Sequence, residues 1–93
     1  MNEKLKPSQT TKEVDGHTYI FQKLPNMSYL ELRDRCKTPT GSLSDAKFYK
    51  EILNNIVVGV DDEYRKLGPD DFEDFDSMDV VVSEAVKFQH GKS

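Results

Sequence analysis

A single cysteine, Cys36, occurs among the 93 residues, so no disulfide can close within the chain and a reducing compartment is the default expectation. No run approaches the ~18 consecutive apolar residues that a membrane helix needs. The opening Met1-Asn2-Glu3-Lys4-Leu5-Lys6 lacks the apolar centre of a secretory signal. A basic excess is missing too. Thirteen Lys and Arg face seventeen Asp and Glu, a net charge of -4, whereas broad nucleic-acid binding expects a basic footprint. Gly41, Gly59 and Gly68 stand alone, so no phosphate-cradling loop is present. His17 and His90 with one thiol give no zinc spacing, and nothing around Cys36 pairs it with either histidine as nucleophile and base. What remains is a small binding domain: not an enzyme, with no cofactor, metal, membrane or nucleic acid expected. At this length one core is near its lower limit, which leaves a homo-oligomer open.

Residues 1–10 hold Pro7, Ser8, Gln9 and Thr10 with Leu5 as the only large apolar side chain after Met1, and they read as a flexible tail. Residues 11–93 read as a single small α+β domain. Asp15-Gly16 suits a two-residue type I′ turn between Thr11–Val14 and His17–Phe21, the second arm being rich in β-branched and aromatic residues. Tyr19 and Phe21 fall on one face, with Thr18, Ile20 and Gln22 on the other. Pro25 ends the strand. A helix near 27–37 follows, with Ser28 and Glu31 in the form of a capping box and a stripe of Tyr29, Leu32 and Cys36. Thr38-Pro39-Thr40-Gly41 breaks it.

A second helix is expected near 44–58, capped by Ser42 or Ser44. Tyr49, Ile52, Leu53, Ile56, Val57 and Val60 fall at i, i+3, i+4, i+7, i+8 and i+11, the stripe of a helix buried on one side, with Ala46 extending it backwards and Gly59 loosening the end. This helix should be the centre of the core. A third helix, near 77–89 and closed by Gly91, carries Val81, Ala85 and Phe88 at i, i+4 and i+7. The expected fold is therefore mostly helical, an N-terminal hairpin followed by about three helices.

Charge is unevenly spread. Residues 61–79 hold nine acids against Arg65 and Lys66, a local net of -7, while residues 1–60 net +2 and residues 80–93 net +1. A calcium loop does not fit that segment. From Asp70 the third position is Phe72, and from Asp74 the fifth is Met78, where oxygen ligands are needed. The run Asp70, Asp71, Phe72, Glu73, Asp74, Phe75, Asp76 reads in two ways. Its acids and aromatics could anchor a basic partner, or the aromatics could staple the last helix onto the second. As a partner-binding set we take Asp70, Asp71, Phe72, Asp74, Phe75 and Asp76. Arg33, Arg35 and Lys37 interleave with Glu31 and Asp34, and Glu31 with Arg35 is spaced for an i,i+4 pair on a solvated helix face.

The stretch Gly41-Ser42-Leu43-Ser44-Asp45-Ala46-Lys47-Phe48-Tyr49-Lys50-Glu51-Ile52-Leu53, followed by Val57-Val58, resembles small tail assembly chaperones of long-tailed bacteriophages and prophages. Asp70-Asp71-Phe72 and Glu84-Ala85-Val86-Lys87-Phe88 fit the same pattern, and the resemblance spans roughly residues 17–90. It implies a non-enzymatic factor of the host bacterial cytoplasm, absent from the finished virion, that holds the tape measure protein while tail tube subunits polymerise around it. Many relatives of that kind also have a longer, frameshifted form whose extra domain engages the tube protein. Two rival readings stand beside it: a small phage-encoded regulator that sequesters a host protein, and a minor structural tail or connector protein.

Overall fold

The first reversal of the chain is at Asp15-Gly16, where both residues take positive φ, 53° and 82°. That is the type I′ geometry expected of the pair, and it joins β1 (Gln9–Val14) to β2 (His17–Gln22) in register from Val14↔His17 to Gln9↔Gln22. The structure, a computed structural model, describes residues 8–91. Gln9 and Thr10, expected in the tail, are thus strand residues paired with Gln22 and Phe21, while residues 1–7 of that tail lie outside the described residues.

Helix α1 (Asn26–Arg35) starts directly after Pro25, whose φ of -56° already suits a helix entry and whose carbonyl accepts from Tyr29 N at 3.0 Å. The expected Ser28–Glu31 capping box is not formed, because this earlier start leaves Ser28 inside the helix. Cys36 ends α1, fully buried, its thiol donating to the Leu32 carbonyl at 3.2 Å. Arg35 reaches Glu51 on the next helix at 2.8 Å rather than Glu31 on its own, and so ties two helices together.

Ser44 caps α2 (Asp45–Asn55), its hydroxyl accepting from Lys47 N. The expected helix to residue 58 stops short at Asn55, with Ile56 as its cap, and Val57–Val60 is strand β3. A bulge explains why the ridge looked helical throughout. Ile20 pairs with Gly59 and Phe21 with Val57, which leaves Val58 as an extra residue. Residues three apart in a regular strand face opposite ways, but the inserted residue returns Val57 and Val60 to one side, where both are buried. A second tight turn at Asp61-Asp62, with φ of 54° and 67°, leads into the two-residue β4 (Glu63–Tyr64). The sheet is antiparallel in the order β1-β2-β3-β4. The fold class is α+β as expected, with four strands where one hairpin was read.

Helix α3 (Phe75–Gln89) begins two residues before the expected Ser77, because Asp74 caps it by accepting from Ser77 N at 2.8 Å. It ends before Gly91, at φ 81°. One core joins Tyr19 and Phe21 of β2 to Val57 and Val60 of β3, Tyr29 and Leu32 of α1, Ile52 and Leu53 of α2, and Val81, Val82 and Ala85 of α3. Ile20, 4% exposed, lies outside that cluster and shares the other face of the sheet with Gly59 and Tyr64.

Gly59 is required by that close approach. A Cβ there would lie 2.4 Å from the Glu63 carbonyl oxygen and 3.0 Å from Ile20 Cδ1. Gly59→Ala is expected to lower stability by about 1–3 kcal/mol, the usual cost of overpacking, measured as a shift in urea midpoint. An unchanged midpoint would mean that the β3–β4 turn yields without cost.

Candidate functional site

Two concavities flank the acidic segment, and its residues divide between them. The first, about 520 Å³, lies beside the two turns and is lined by Asp15, His17, Tyr19, Asp61, Arg65, Asp71, Phe72, Asp74 and Ser77 among others. Each of its aspartates already has a local task. Asp61 accepts from Thr18 N at 3.0 Å and pairs with His17 Nδ1 at 2.8 Å, which clamps the second turn onto β2. Those hydrogen bonds, His17 first, hold the Asp61 carboxyl below its ordinary value. Asp71 accepts from Gly68 N at 2.7 Å and lies 3.5 Å from Arg65; Asp74 caps α3; Asp15 accepts from the Ser77 hydroxyl. No group of three or more His, Cys, Asp or Glu among the described residues is arranged to hold a metal ion. The cleft is a lattice of turn and cap hydrogen bonds.

The second concavity, about 400 Å³, opens between the first turns of α2 and the start of α3. Ala46, Tyr49 and Lys50 line it from α2 at i, i+3 and i+4, Phe75 and Met78 from α3 at i and i+3, and Pro69 and Asp45 complete the rim. Phe75 is the first residue of α3, one turn before Met78, which packs on the core. Its ring is therefore left 62% exposed, lying flat against Tyr49 with centroids 6.2 Å apart at 11°. Tyr49 is fixed in turn by donating its hydroxyl proton to Asp79. The stapling of the last helix onto the second is thus carried by Phe75, while Phe72 stacks on Tyr19 at 5.9 Å.

Of the expected partner-binding set, Asp71, Phe72 and Asp74 line the polar cleft, and Phe75 lines the apolar hollow. Asp70 and Asp76 line neither, but each directly follows a lining residue of the hollow, Pro69 and Phe75. Tyr49, Ala46, Lys50 and Met78 were not anticipated. Tyr49 and Ala46, expected on the buried stripe of α2, are half-buried and exposed respectively, and both face the hollow. The only hint was their place at the end of the α2 stripe. His17, His90 and Cys36 occupy separate surroundings: His17 on Asp61, His90 on the Tyr29 hydroxyl at 2.9 Å, and Cys36 in the core, where burial pushes its thiol pKa up.

Because its proton is held by Asp79, with burial adding, the Tyr49 hydroxyl is pushed up to about 12 from the ordinary 10.0. A group with a raised folded-state pKa contributes its full stability below the unfolded value and loses it as pH rises through the folded one. Stability should therefore fall between pH 10.0 and about 12, and Asp79→Asn should flatten that fall and lower the pH at which Tyr49 ionises by ultraviolet titration. A Tyr49 that ionises alike in both proteins would remove Asp79 as the cause.

The chain matches no protein-family model, no curated protein and no solved structure.

Proposed function

We propose that this chain is a tail assembly chaperone of a long-tailed bacteriophage or prophage, which binds the tape measure protein in the host bacterial cytoplasm and performs no chemistry. The resemblance of residues 41–53, 57–58, 70–72 and 84–88 supports that reading. The observation that carries it is the hollow between α2 and α3: an apolar recess whose wall includes the Phe75 ring, stacked on Tyr49 yet still 62% exposed. A concave apolar recess with a few polar groups on its edge is the kind of surface into which a partner's side chain can pack. No helix among the described residues is long and apolar enough to cross a membrane. A helical client could lie in such a groove as an amphipathic helix does in others.

Co-expression with the tape measure protein of the same genome is the test. The client should become soluble and elute with this chain on size exclusion, and this chain should be missing from purified virions by mass spectrometry. An insoluble client and no complex would end the reading. Presence in the virion would favour a structural tail or connector protein.

A further inference from the structure

We propose that the hollow between α2 and α3 receives one apolar side chain of a basic amphipathic helix; this rests on the reading of the chain as a tape measure chaperone and assigns the surface and the client's chemistry. Size and shape come first. About 400 Å³, open on one side and walled by Tyr49, Phe75, Met78 and Ala46, leaves room for a large aliphatic or aromatic anchor together with the apolar helix face around it. Both walls are helices and no strand lines the recess, so added-strand recognition has no edge to use there.

Charge selects the occupant. Asp45 on the rim, and Asp70 and Asp76 next to Pro69 and Phe75, are all exposed, and none of the three forms an ion pair among the described residues. Lys50 is the single cation of the lining. Asp45 and Asp76 sit in the first turns of α2 and α3, where a carboxylate also favours the helix dipole. Among the described residues they make none of the backbone hydrogen bonds that hold the polar cleft's aspartates, and Asp45 borders the hollow directly. Lys or Arg on the solvent-facing flanks of a docked helix would meet opposite charge, which chiefly raises the association rate and selects the partner. A second copy docking by its own acidic segment, net -7 over residues 61–79, would bring like charge to the same place.

The probe is a synthetic amphipathic peptide with Leu at i, i+3, i+4 and i+7 and Lys elsewhere, beside a peptide of the same composition in scrambled order and one with Glu for Lys. Full-length protein should bind the first, with a rise in peptide helicity by circular dichroism, at least tenfold more tightly than the other two. Phe75→Ala should weaken binding at least tenfold while keeping the wild type's circular dichroism spectrum and a cooperative melt, shifted only by the loss of its stacking on Tyr49. The Asp45→Asn, Asp76→Asn double variant should weaken it severalfold and flatten its salt dependence. Equal binding by Phe75→Ala, by the scrambled peptide or by the Glu peptide would overturn the assignment. So would self-association in sedimentation that Phe75→Ala abolishes, since the hollow would then belong to a second copy. The two proposals fail separately. A tape measure protein held equally by wild type and Phe75→Ala leaves the chaperone reading standing without this site. A Lys peptide seated at Phe75 with no tape measure complex leaves the site standing without that reading.

Discussion

Ile52→Ala is expected to lower unfolding free energy by about 2–5 kcal/mol, the range for emptying a fully buried aliphatic site. Ile52 has no exposed surface and lies on α2 in the core cluster, among Leu53, Ile56 and side chains of α1, α3 and the sheet. A domain of 93 residues holds roughly 5–14 kcal/mol in all, so this one substitution removes a large share. Phe75→Ala provides the contrast. It deletes a larger side chain, yet one 62% exposed whose stacking on Tyr49 is worth about 0.5–1.5 kcal/mol, so its cost should stay well below that of Ile52→Ala. Urea midpoints of both variants, followed by circular dichroism with the slope checked, give the comparison. An Ile52→Ala midpoint equal to wild type would remove α2 from the centre of the fold. A Phe75→Ala loss matching that of Ile52→Ala would mean that the ring serves the core rather than the surface.

The parts of this fold that could be read in advance are those where one local rule acts without competition. Asp15-Gly16 is such a case: two residues that accept positive φ, followed by a β-branched and aromatic arm. So are the first turns of α2, where the Ser44 cap and the Tyr49, Ile52, Leu53 spacing agree. Val57 to Val60 failed because two periods coincide there. A bulged strand puts residues three apart on one face, as a helix does, and Asn54-Asn55, Gly59 and the β-branched run were the weaker signals of a change. The β3–β4 turn was missed because Asp61 and Asp62 were counted as charge, while their backbones take the left-handed conformation that Asp tolerates better than most residues.

The acidic run likewise looked like one site because sequence gives net charge but not what each carboxylate is bonded to. Asp71 and Asp74 are bonded to backbone amides and Asp70 and Asp76 are not, a distinction that exists only once the chain is folded. Phe72 and Phe75, three residues apart, end on different rings, Tyr19 and Tyr49, because α3 starts between them. The aromatic signal was legible and its direction was not.

Gln89→Leu should cost about 2–4 kcal/mol, although leucine fills similar space. Gln89 is 6% exposed at the end of α3 and clamps the chain where β2 leads into α1: its Oε1 accepts from Leu24 N at 2.8 Å and its Nε2 donates to Leu24 O at 2.9 Å. The amide imitates a neighbouring strand at the point where Pro25 stops regular pairing. Leucine leaves both backbone groups without their partner, at about 1–3 kcal/mol each where water is excluded and less at this partly buried site. Gln89→Glu separates polarity from packing. A carboxylate still accepts from Leu24 N but cannot donate to Leu24 O, so at pH 7 this variant should also be destabilised. Protonation restores a donor, so its deficit relative to wild type should shrink as pH falls toward the ordinary glutamate range of about 4.3, while that of Gln89→Leu stays constant. Asp61 does not confuse the comparison. Its carboxyl is held below 3.8, so its contribution is present above that pH and fades only as pH falls through its lower folded value, alike in all three proteins. Equal urea midpoints for Gln89→Leu and wild type at pH 7 would show that water replaces the clamp. A Gln89→Glu deficit that does not move with pH would show that the lost donor is not its cause.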